Sequence, residues 1–308
     1  MNHASSRHLL CGILCCALHS VALGKDPAPR FVVDERELNE ATLAAAAKLR
    51  TDGKLMTPEK LKSQLDRRNY KLDLSAARHG RISAPDLCER LRQSTFSVGL
   101  LYQDRKTHDW EFNSAVGFVV GADGILCTNH HVASMTEEEA DKKAGTFLIA
   151  ADSDGKVYPV LEILASYPEA DTAFIRIDAK GLKPLPVRPG VRPGEKVFSM
   201  SHPEGEHYLF TEGIVARIAR EHEFFEPGNE ESKPSSRPLL FVNVTTEYAP
   251  GSSGGPVVDK SGNVIAQIQS ISEPVTDDKG DSELTAPVRT CVAAEEIIHL
   301  TVQPAKNN

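Results

Sequence analysis

A change of period at Thr95 confines this chain more than any other feature. Beyond it the apolar residues come in short runs split by Gly, Asp and Asn turns. Phe96–Tyr102, Val116–Val120, Ile125–Cys127, Phe147–Ile149, Val157–Ile163 and Ala173–Ile177 each read as a strand, with Ala122-Asp123-Gly124 as a turn between two of them. Residues 178–195 then hold four prolines and three glycines and read as a linker. Strand patterns resume at Lys196–Phe198 and continue through Gly213–Val215, Leu239–Val244 and Val264–Ile271. No ten-residue helix alternates with these strands, which disfavours a parallel α/β sheet. Many short strands divided by one Pro/Gly-rich linker predict an all-β fold of two small barrels packed together, over residues 94–177 and 196–303. A last helical stretch, Ala293–Leu300, lies inside the second of these segments.

Ahead of the barrels, residues 25–93 read as a helical N-terminal extension. Asp34–Arg50 carries Leu38, Leu43, alanines at 44–47 and Leu49, and it stops at Gly53. Thr57-Pro58 opens a second segment with Leu61 and Leu65 one turn apart, and a third begins near Pro85 with Leu87 and Leu91. These apolar stripes are thin, so the region is expected to dock on something larger. Its role as a pro-segment, an oligomerisation arm or a spacer is not legible.

Residues 1–24 have the pattern of a secretory signal peptide: Arg7, an apolar core over Leu9–Leu18, and small residues around Val21-Ala22-Leu23-Gly24. The apolar run falls short of the ~20 residues that cross a bilayer, so no stable membrane anchor is expected. The competing reading is a short buried helix. A lipid anchor wants a small residue before its cysteine, and Cys11, Cys15 and Cys16 follow Leu10, Leu14 and Cys15. The chain is therefore expected to be secreted or periplasmic. Three of its six cysteines lie in this leader; Cys88, Cys127 and Cys291 remain without tight spacing, which excludes a disulfide scaffold and a CxxC site. They read as small buried hydrophobes, the alternative being one bridge and one free thiol whose pairing the sequence does not give.

The 308 residues carry a formal net charge of −8, with no Lys/Arg-rich run, so nucleic acid is excluded as a partner. The 40% hydrophobic and 25% charged shares are those of a globular protein and not of a disordered or multi-span membrane chain.

Three motifs carry chemistry. Thr128-Asn129-His130-His131-Val132 follows a strand directly, Asp171-Thr172-Ala173 opens another, and Gly251-Ser252-Ser253-Gly254-Gly255-Pro256 precedes Val257-Val258-Asp259. A serine hydroxyl is not nucleophilic near neutral pH unless a base stands within hydrogen-bond reach and an acid fixes the tautomer of that base. Histidine is the side chain poised for this work. Glycines around Ser253 let the backbone turn so that the N–H groups of Gly251 and Ser253 converge on a developing oxyanion, each worth roughly 3 kcal/mol of transition-state stabilisation. Composition leaves His130 beside His131, Glu169 and Asp178 beside Asp171, and Ser252 beside Ser253. A His-His pair by itself suggests a metal, but no third ligand stands at a supporting spacing. Glu169 lies in the preceding loop and Asp178 at the far end of the strand, which favours Asp171.

TNHHV, DTA and GSSGGP, in the order His, Asp, Ser, resemble a trypsin-like serine protease of the bacterial Deg/HtrA type. The resemblance covers about residues 95–290. It implies two six-stranded antiparallel barrels with the site in the cleft between them. His131 matches the general base, Asp171 its orienting carboxylate, Ser253 the nucleophile, and Gly251 and Ser253 the oxyanion-hole amides. No metal or cofactor is implied. The resemblance further implies unfolded or damaged envelope proteins as substrates, and a trimer built with N-terminal residues. Two departures stand out: Ser252 replaces the asparagine common before the nucleophile, and the stretch from Pro256 to Asn308 is filled by the closing strands and helix, leaving no PDZ module expected.

Glu247 lies six residues before Ser253, where related proteases place the floor of the specificity pocket. A carboxylate there favours Lys or Arg on the acyl side of the cut; the alternatives are that Glu247 faces solvent or pairs within the barrel, or that Tyr248 lines a shallower apolar pocket. The stretch Glu221–Glu231 reads as an acidic surface loop with two aromatics. The reading that results is a serine endopeptidase acting through an acyl-enzyme. A latent barrel that binds protein clients as a chaperone or scaffold is the alternative. An esterase is remote, because its nucleophile elbow comes with the order Ser, Asp, His.

Overall fold

Two of the three N-terminal helices start at a residue whose side chain caps them. In the computed structural model, which describes residues 31–134, 143–225, 232–272 and 287–301, helix α1 spans Glu35–Thr51 and Asp34 accepts the Glu37 N–H at 3.0 Å. Helix α3 spans Ala84–Ser94, and Ser83 accepts the Asp86 N–H. The short α2, Pro58–Lys62, instead has proline in its first turn, where the missing N–H costs no hydrogen bond. Each helix turns a narrow apolar face inward. Thr42 and Ala46 of α1, Leu61 of α2, and Leu87 and Leu91 of α3 are buried.

Helix α3 passes into the first strand without a loop, because Thr95 already has extended dihedrals. Strands β1 (Thr95–Asp104), β2 (Trp110–Gly121), β3 (Ile125–Thr128), β4 (Lys143–Ala151), β5 (Val157–Tyr167) and β6 (Thr172–Ile177) close a barrel in the order β1-β2-β3-β6-β5-β4. A short helix, α4 (His130–Ser134), follows β3. Strands β7 (Lys196–Ser201), β8 (Leu209–Phe225), β9 (Ser232–Val244), β10 (Pro256–Asp259), β11 (Val264–Ser272) and β12 (Val288–Ala293) close a second barrel in the order β10-β11-β12-β9-β8-β7. All of the pairings within the two barrels are antiparallel. The all-β architecture expected from the strand spacing is the one observed.

Two differences have a physical reason. Strands β8 and β9 are far longer than the apolar cores Gly213–Val215 and Leu239–Val244 that mark them in the sequence. Their outer arms pair only with each other and are largely polar, so hydrophobic alternation fades there. The same pairing corrects the reading of Glu221–Glu231 as a loop. Glu221–Phe225 is ladder, with Glu223 opposite Pro234 and accepting a hydrogen bond from Ser232 Oγ at 2.7 Å. Residues 226–231 lie outside the described residues, as do residues 1–24.

Each barrel has its own core, and a third cluster lies between them. Leu87 and Leu91 of α3 pack there with Phe118 and Phe174 of the first barrel, Phe198 and Met200 of the second, and Ile297 and Leu300 around the last helix, α5 (Ala294–His299). From Arg67 to Ile82 the chain crosses both barrels. Arg67 hydrogen-bonds Ile163 O, Tyr70 N bonds Leu300 O at 2.9 Å, and Arg78 N bonds Asn263 Oδ1 at 2.7 Å. Cys88, Cys127 and Cys291 are free thiols, and burial pushes those of Cys127 and Cys291 up to about 12. Among the described residues no helix is long and apolar enough to cross a membrane.

Leu91→Ala empties a fully buried site between the barrels, and a loss of about 2–5 kcal/mol in urea-unfolding free energy is expected. Arg36→Ala is the control. Its ion pair with Glu40 is largely exposed, at 87% and 70%, and its effect should stay within about 0.5 kcal/mol.

Candidate active site

The register of two antiparallel strands brings the histidine and aspartate motifs together. Thr128 of β3 pairs with Ala173 of β6, so the residues just after β3 and just before β6 share one rim of the first barrel. Asn129 caps this arrangement. It is fully buried, its Nδ2 donates to Asp171 O at 2.7 Å, and its own carbonyl accepts from Ala133 N in the first turn of α4. Asp171 has φ +52°, a left-handed backbone uncommon outside glycine. Its N–H donates to Pro168 O at 3.0 Å, so the strained peptide is held from both sides.

Both carboxylate oxygens of Asp171 face His131. Oδ1 accepts the His131 backbone N–H and Oδ2 accepts the ring Nδ1–H, each at 2.9 Å. An ionised carboxylate can only accept, so the proton resides on Nδ1 and Nε2 is the basic nitrogen. The Asp171 side chain is 12% exposed and that of His131 33%, which leaves the carboxylate out of bulk water and the ring at the cleft surface.

Ser253 belongs to the second barrel, in the turn that leads into β10. Its carbonyl accepts the Val116 N–H of β2 at 2.8 Å, which joins the turn to the first barrel. Gly254 has φ +86°, and a Cβ there would lie 2.0 Å from Val116 O, so no other residue fits. Gly251 has φ +92°, and a Cβ would stand 2.7 Å from His202 O. Within the turn the N–H groups of Ser252, Gly254 and Gly255 are taken by Ala249 O, Ile268 O and Ser252 O. Among the described residues no such acceptor takes the N–H of Gly251 or of Ser253. The Ser253 hydroxyl donates to Gln269 O at 3.3 Å.

His131, Gly251 and Ser253 line one cavity of 230 Å³, walled by Val98–Leu100 and Asn113–Ala115. Asp171 touches His131, and His131 shares this cavity with Gly251 and Ser253, so residues from three distant stretches of sequence and both barrels meet here. Two of the rival residues have polar partners of their own. His130 Nδ1 stands 2.6 Å from Ser166 Oγ, and Glu169 accepts from Ser236 N and Oγ. Asp178 follows the far end of β6, and Ser252 is fully buried with no hydrogen-bond partner for its hydroxyl among the described residues. Among the described residues no three His, Cys, Asp or Glu side chains stand close enough to hold a metal ion.

Glu247 and Tyr248 line a separate cavity of 370 Å³ with Leu209, Ala249, Ile271 and Arg289. Glu247 is paired with Arg289, whose guanidinium also sits over the Tyr248 ring. Tyr248 is buried, its hydroxyl between Ser270 O at 3.0 Å and Thr290 O at 3.1 Å, and burial pushes its pKa well above the usual phenol range.

Asn129 and the turn Pro203–Gly205 behind Gly251 are site features that the motifs did not single out. Asn129 was visible inside the histidine motif, but nothing marked its role. The turn had no signal. It is anchored by His202, a residue 1% exposed, with Nδ1 at 3.1 Å from Ser97 Oγ and the rings of His207 and Tyr208 packed against its own. Burial, helped by the neighbouring His207, holds the pKa of His202 well below the usual histidine value.

Residues 115–266 match the family described as trypsin-like peptidase domain. A probable periplasmic serine endoprotease, DegP-like, of Pseudomonas fluorescens is 27% identical over 151 residues, 48% of this chain and 27% of that protein. The chloroplastic protease Do-like 1 of Arabidopsis thaliana is 30% identical over 190 residues, 60% of this chain and 37% of its own length. The chain therefore spans well under half of these curated relatives. Among solved structures, the HtrA-type protease AlgW with decapeptide superposes with a TM-score of 0.53 at 20% identity, over 72% of this chain and 69% of that one, a likeness of fold.

Burial of a neutral His202 ties stability to pH. The unfolded chain binds a proton below about pH 6.5 while the folded chain does not, so stability is complete above that pH and declines as pH falls through it. Urea midpoints between pH 7.5 and 5 should fall accordingly. His202→Gln should flatten that slope by up to about one proton, 1.4 kcal/mol per pH unit.

Proposed function

We propose that this chain, whose residues 115–266 match a trypsin-like peptidase domain, is a serine endopeptidase of the HtrA type that works through His131, Asp171 and Ser253. The observation that carries the reading is the two-point contact of Asp171 with His131, facing a cavity that Ser253 and Gly251 share. In this mechanism the Ser253 hydroxyl turns from Gln269 O toward His131 Nε2, a rotation about one side-chain bond. Nε2 takes the proton as Oγ attacks the peptide carbonyl. Asp171 holds the ring and stabilises its charged form without taking the proton. The carbonyl oxygen, now negative, accepts from the N–H groups of Gly251 and Ser253. His131 returns the proton to the leaving amine, and water, activated by the same nitrogen, hydrolyses the acyl-enzyme.

The cavity beside Glu247 and Tyr248 is proposed to take the residue on the acyl side of the cut. The Glu247 carboxylate already has a cation in Arg289, while Leu209, Ala249 and Ile271 offer apolar wall, so a small apolar side chain fits better than Lys or Arg. Unfolded or damaged proteins of a secreted or periplasmic compartment are the proposed substrates. The leader at 1–24, the extension at 25–93 and a trimeric assembly belong to the same proposal. The name of the Pseudomonas relative supports the compartment.

The test is fluorophosphonate labelling and cleavage of unfolded casein by the full chain. Ser253→Ala should abolish labelling and lower kcat by about 10⁶-fold, and Asp171→Asn should lower it by about 10⁴-fold. A wild type that neither labels nor cleaves would favour the latent, client-binding barrel, consistent with a Ser253 hydroxyl turned to Gln269 O. Arg289→Ala frees the Glu247 carboxylate. It should raise kcat/KM for Lys or Arg substrates relative to apolar ones roughly tenfold, a change of about 1.4 kcal/mol.

A further inference from the structure

We infer that Glu35, in the first turn of α1, is a positioning residue for the oxyanion donor Gly251, acting through His207 and the turn at 202–208. The inference rests on the proposed role of the Gly251 N–H.

The path consists of direct contacts. Gly251 packs closely on the turn: a Cβ there would stand 2.7 Å from His202 O. The preceding residue, Pro250, accepts the Glu204 N–H at 2.8 Å. The orientation of the Pro250–Gly251 peptide therefore follows the backbone of His202–Glu204. That backbone is not at rest by itself. Glu204 and Tyr208 both have left-handed φ, at 51° and 61°, though neither is glycine. On the inner side the turn is held by the His202 ring against Ser97 of β1.

On the outer side Glu35 holds it. One carboxylate oxygen accepts the His207 backbone N–H at 2.8 Å, and the other accepts the ring Nδ1–H at 2.5 Å. A single carboxylate thus fixes both the backbone and the ring of the residue whose imidazole packs on His202, 4.9 Å between centroids. Glu35 is itself anchored. It follows the capping Asp34, and α1 is seated on the first barrel through buried Thr42 and Ala46. Ala46 shares a cluster with Leu101, Ile149 and Val157. The clamp therefore runs from a helix docked on one barrel to a turn of the other. A cavity of 550 Å³ is lined by both Glu35 and Gly251, with His207 and Glu204 in the same lining.

The experiment compares Glu35→Gln and Glu35→Ala with wild type in the full chain. Four quantities are read: kcat and KM on a cleaved peptide, inhibition by a peptide boronic acid, affinity of the same peptide in a Ser253→Ala background, and amide hydrogen exchange over residues 249–255. The boronate adduct on Ser253 places an oxygen at the oxyanion donors; ground-state binding does not use them.

The clamp predicts that Glu35→Ala lowers kcat between about 10- and 100-fold, less than the roughly 10²–10³-fold of deleting a donor outright. It also predicts boronate inhibition weakened by the same factor, KM and ground-state affinity within twofold, and faster exchange at 249–255. Glu35→Gln, which keeps one acceptor oxygen for the His207 N–H, should recover part of the loss. Unchanged kcat in Glu35→Ala overturns the inference, as does a loss spread equally over kcat, ground-state affinity and thermal stability. If the wild type neither labels with fluorophosphonate nor cleaves, the protease reading fails, and exchange alone decides the clamp. Faster exchange at 249–255 in Glu35→Ala, with 116–134 unaffected, then supports it, and unchanged exchange overturns it.

Discussion

The close approach of Gly254 to Val116 is the constraint on which the cleft depends. The proposed base and its carboxylate come from the first barrel and the proposed nucleophile from the second, so their relative placement is set wherever the two barrels touch. They touch at backbone. Val116 N donates to Ser253 O at 2.8 Å, and Val116 O stands 2.0 Å from where a Cβ of residue 254 would be. The same carbonyl accepts the hydroxyl of Thr128, the first residue of the histidine motif, at 2.7 Å. One residue of β2 therefore meets both halves of the candidate site through its N–H and its C=O. A little deeper, Thr172 Oγ1 donates to Gln267 Oε1 at 2.9 Å, again across the barrels and next to Asp171. Backbone and short side chains hold position more tightly than long side chains, and a nucleophile–base pair needs placement within fractions of an ångström.

Placement of this kind uses strained conformations, and those have to be offset locally. Asp171, Glu204 and Tyr208 each adopt left-handed φ without being glycine, at a cost of roughly 1–3 kcal/mol apiece. Each is surrounded by bonds that offset it. Asp171 has Asn129 and Pro168, Glu204 has Pro250, and Tyr208 follows the clamped His207. Among the described residues the one other non-glycine residue with left-handed φ is His108, in the turn between β1 and β2, so three of the four stand around the cleft.

What the sequence reveals of this follows from how local each signal is. The strand cores were legible because side chains buried against a barrel interior must be apolar in short runs. The three motifs were legible because a turn that offers two amides needs glycine at fixed offsets, and because the base follows a strand directly. The long arms of β8 and β9 were not, since a two-stranded ribbon facing solvent on both sides needs no apolar alternation. Glu247 could be located by its offset from Ser253, but its partner Arg289 lies 42 positions away and nothing in either neighbourhood marks the pair. The same holds for Glu35 and His207, separated by 172 positions. Pairwise polar contacts across such distances leave no periodicity, and only the fold brings them into view.

The helical segment before the barrels is tied to both. Leu87 and Leu91 fill the space between them, the stretch from Arg67 to Ile82 is bonded to each in turn, and Gly80 O accepts from Ser261 Oγ of the second barrel. A segment used only as a spacer would leave the barrel surfaces polar beneath it. Here the surface beneath is apolar, and Tyr70, Leu72, Leu74 and Ile82 cover it. The interface at which the cleft is formed therefore includes the N-terminal extension as part of its packing. Any force that lifts that extension must expose Leu87 and Leu91 and loosen the contact between barrels before it reaches Ser253. The extension's packing between the barrels through α3, and its contact with His207 through Glu35, make the geometry of the cleft a property of residues 35–301 taken together, beyond the span 115–266 that matches the peptidase domain.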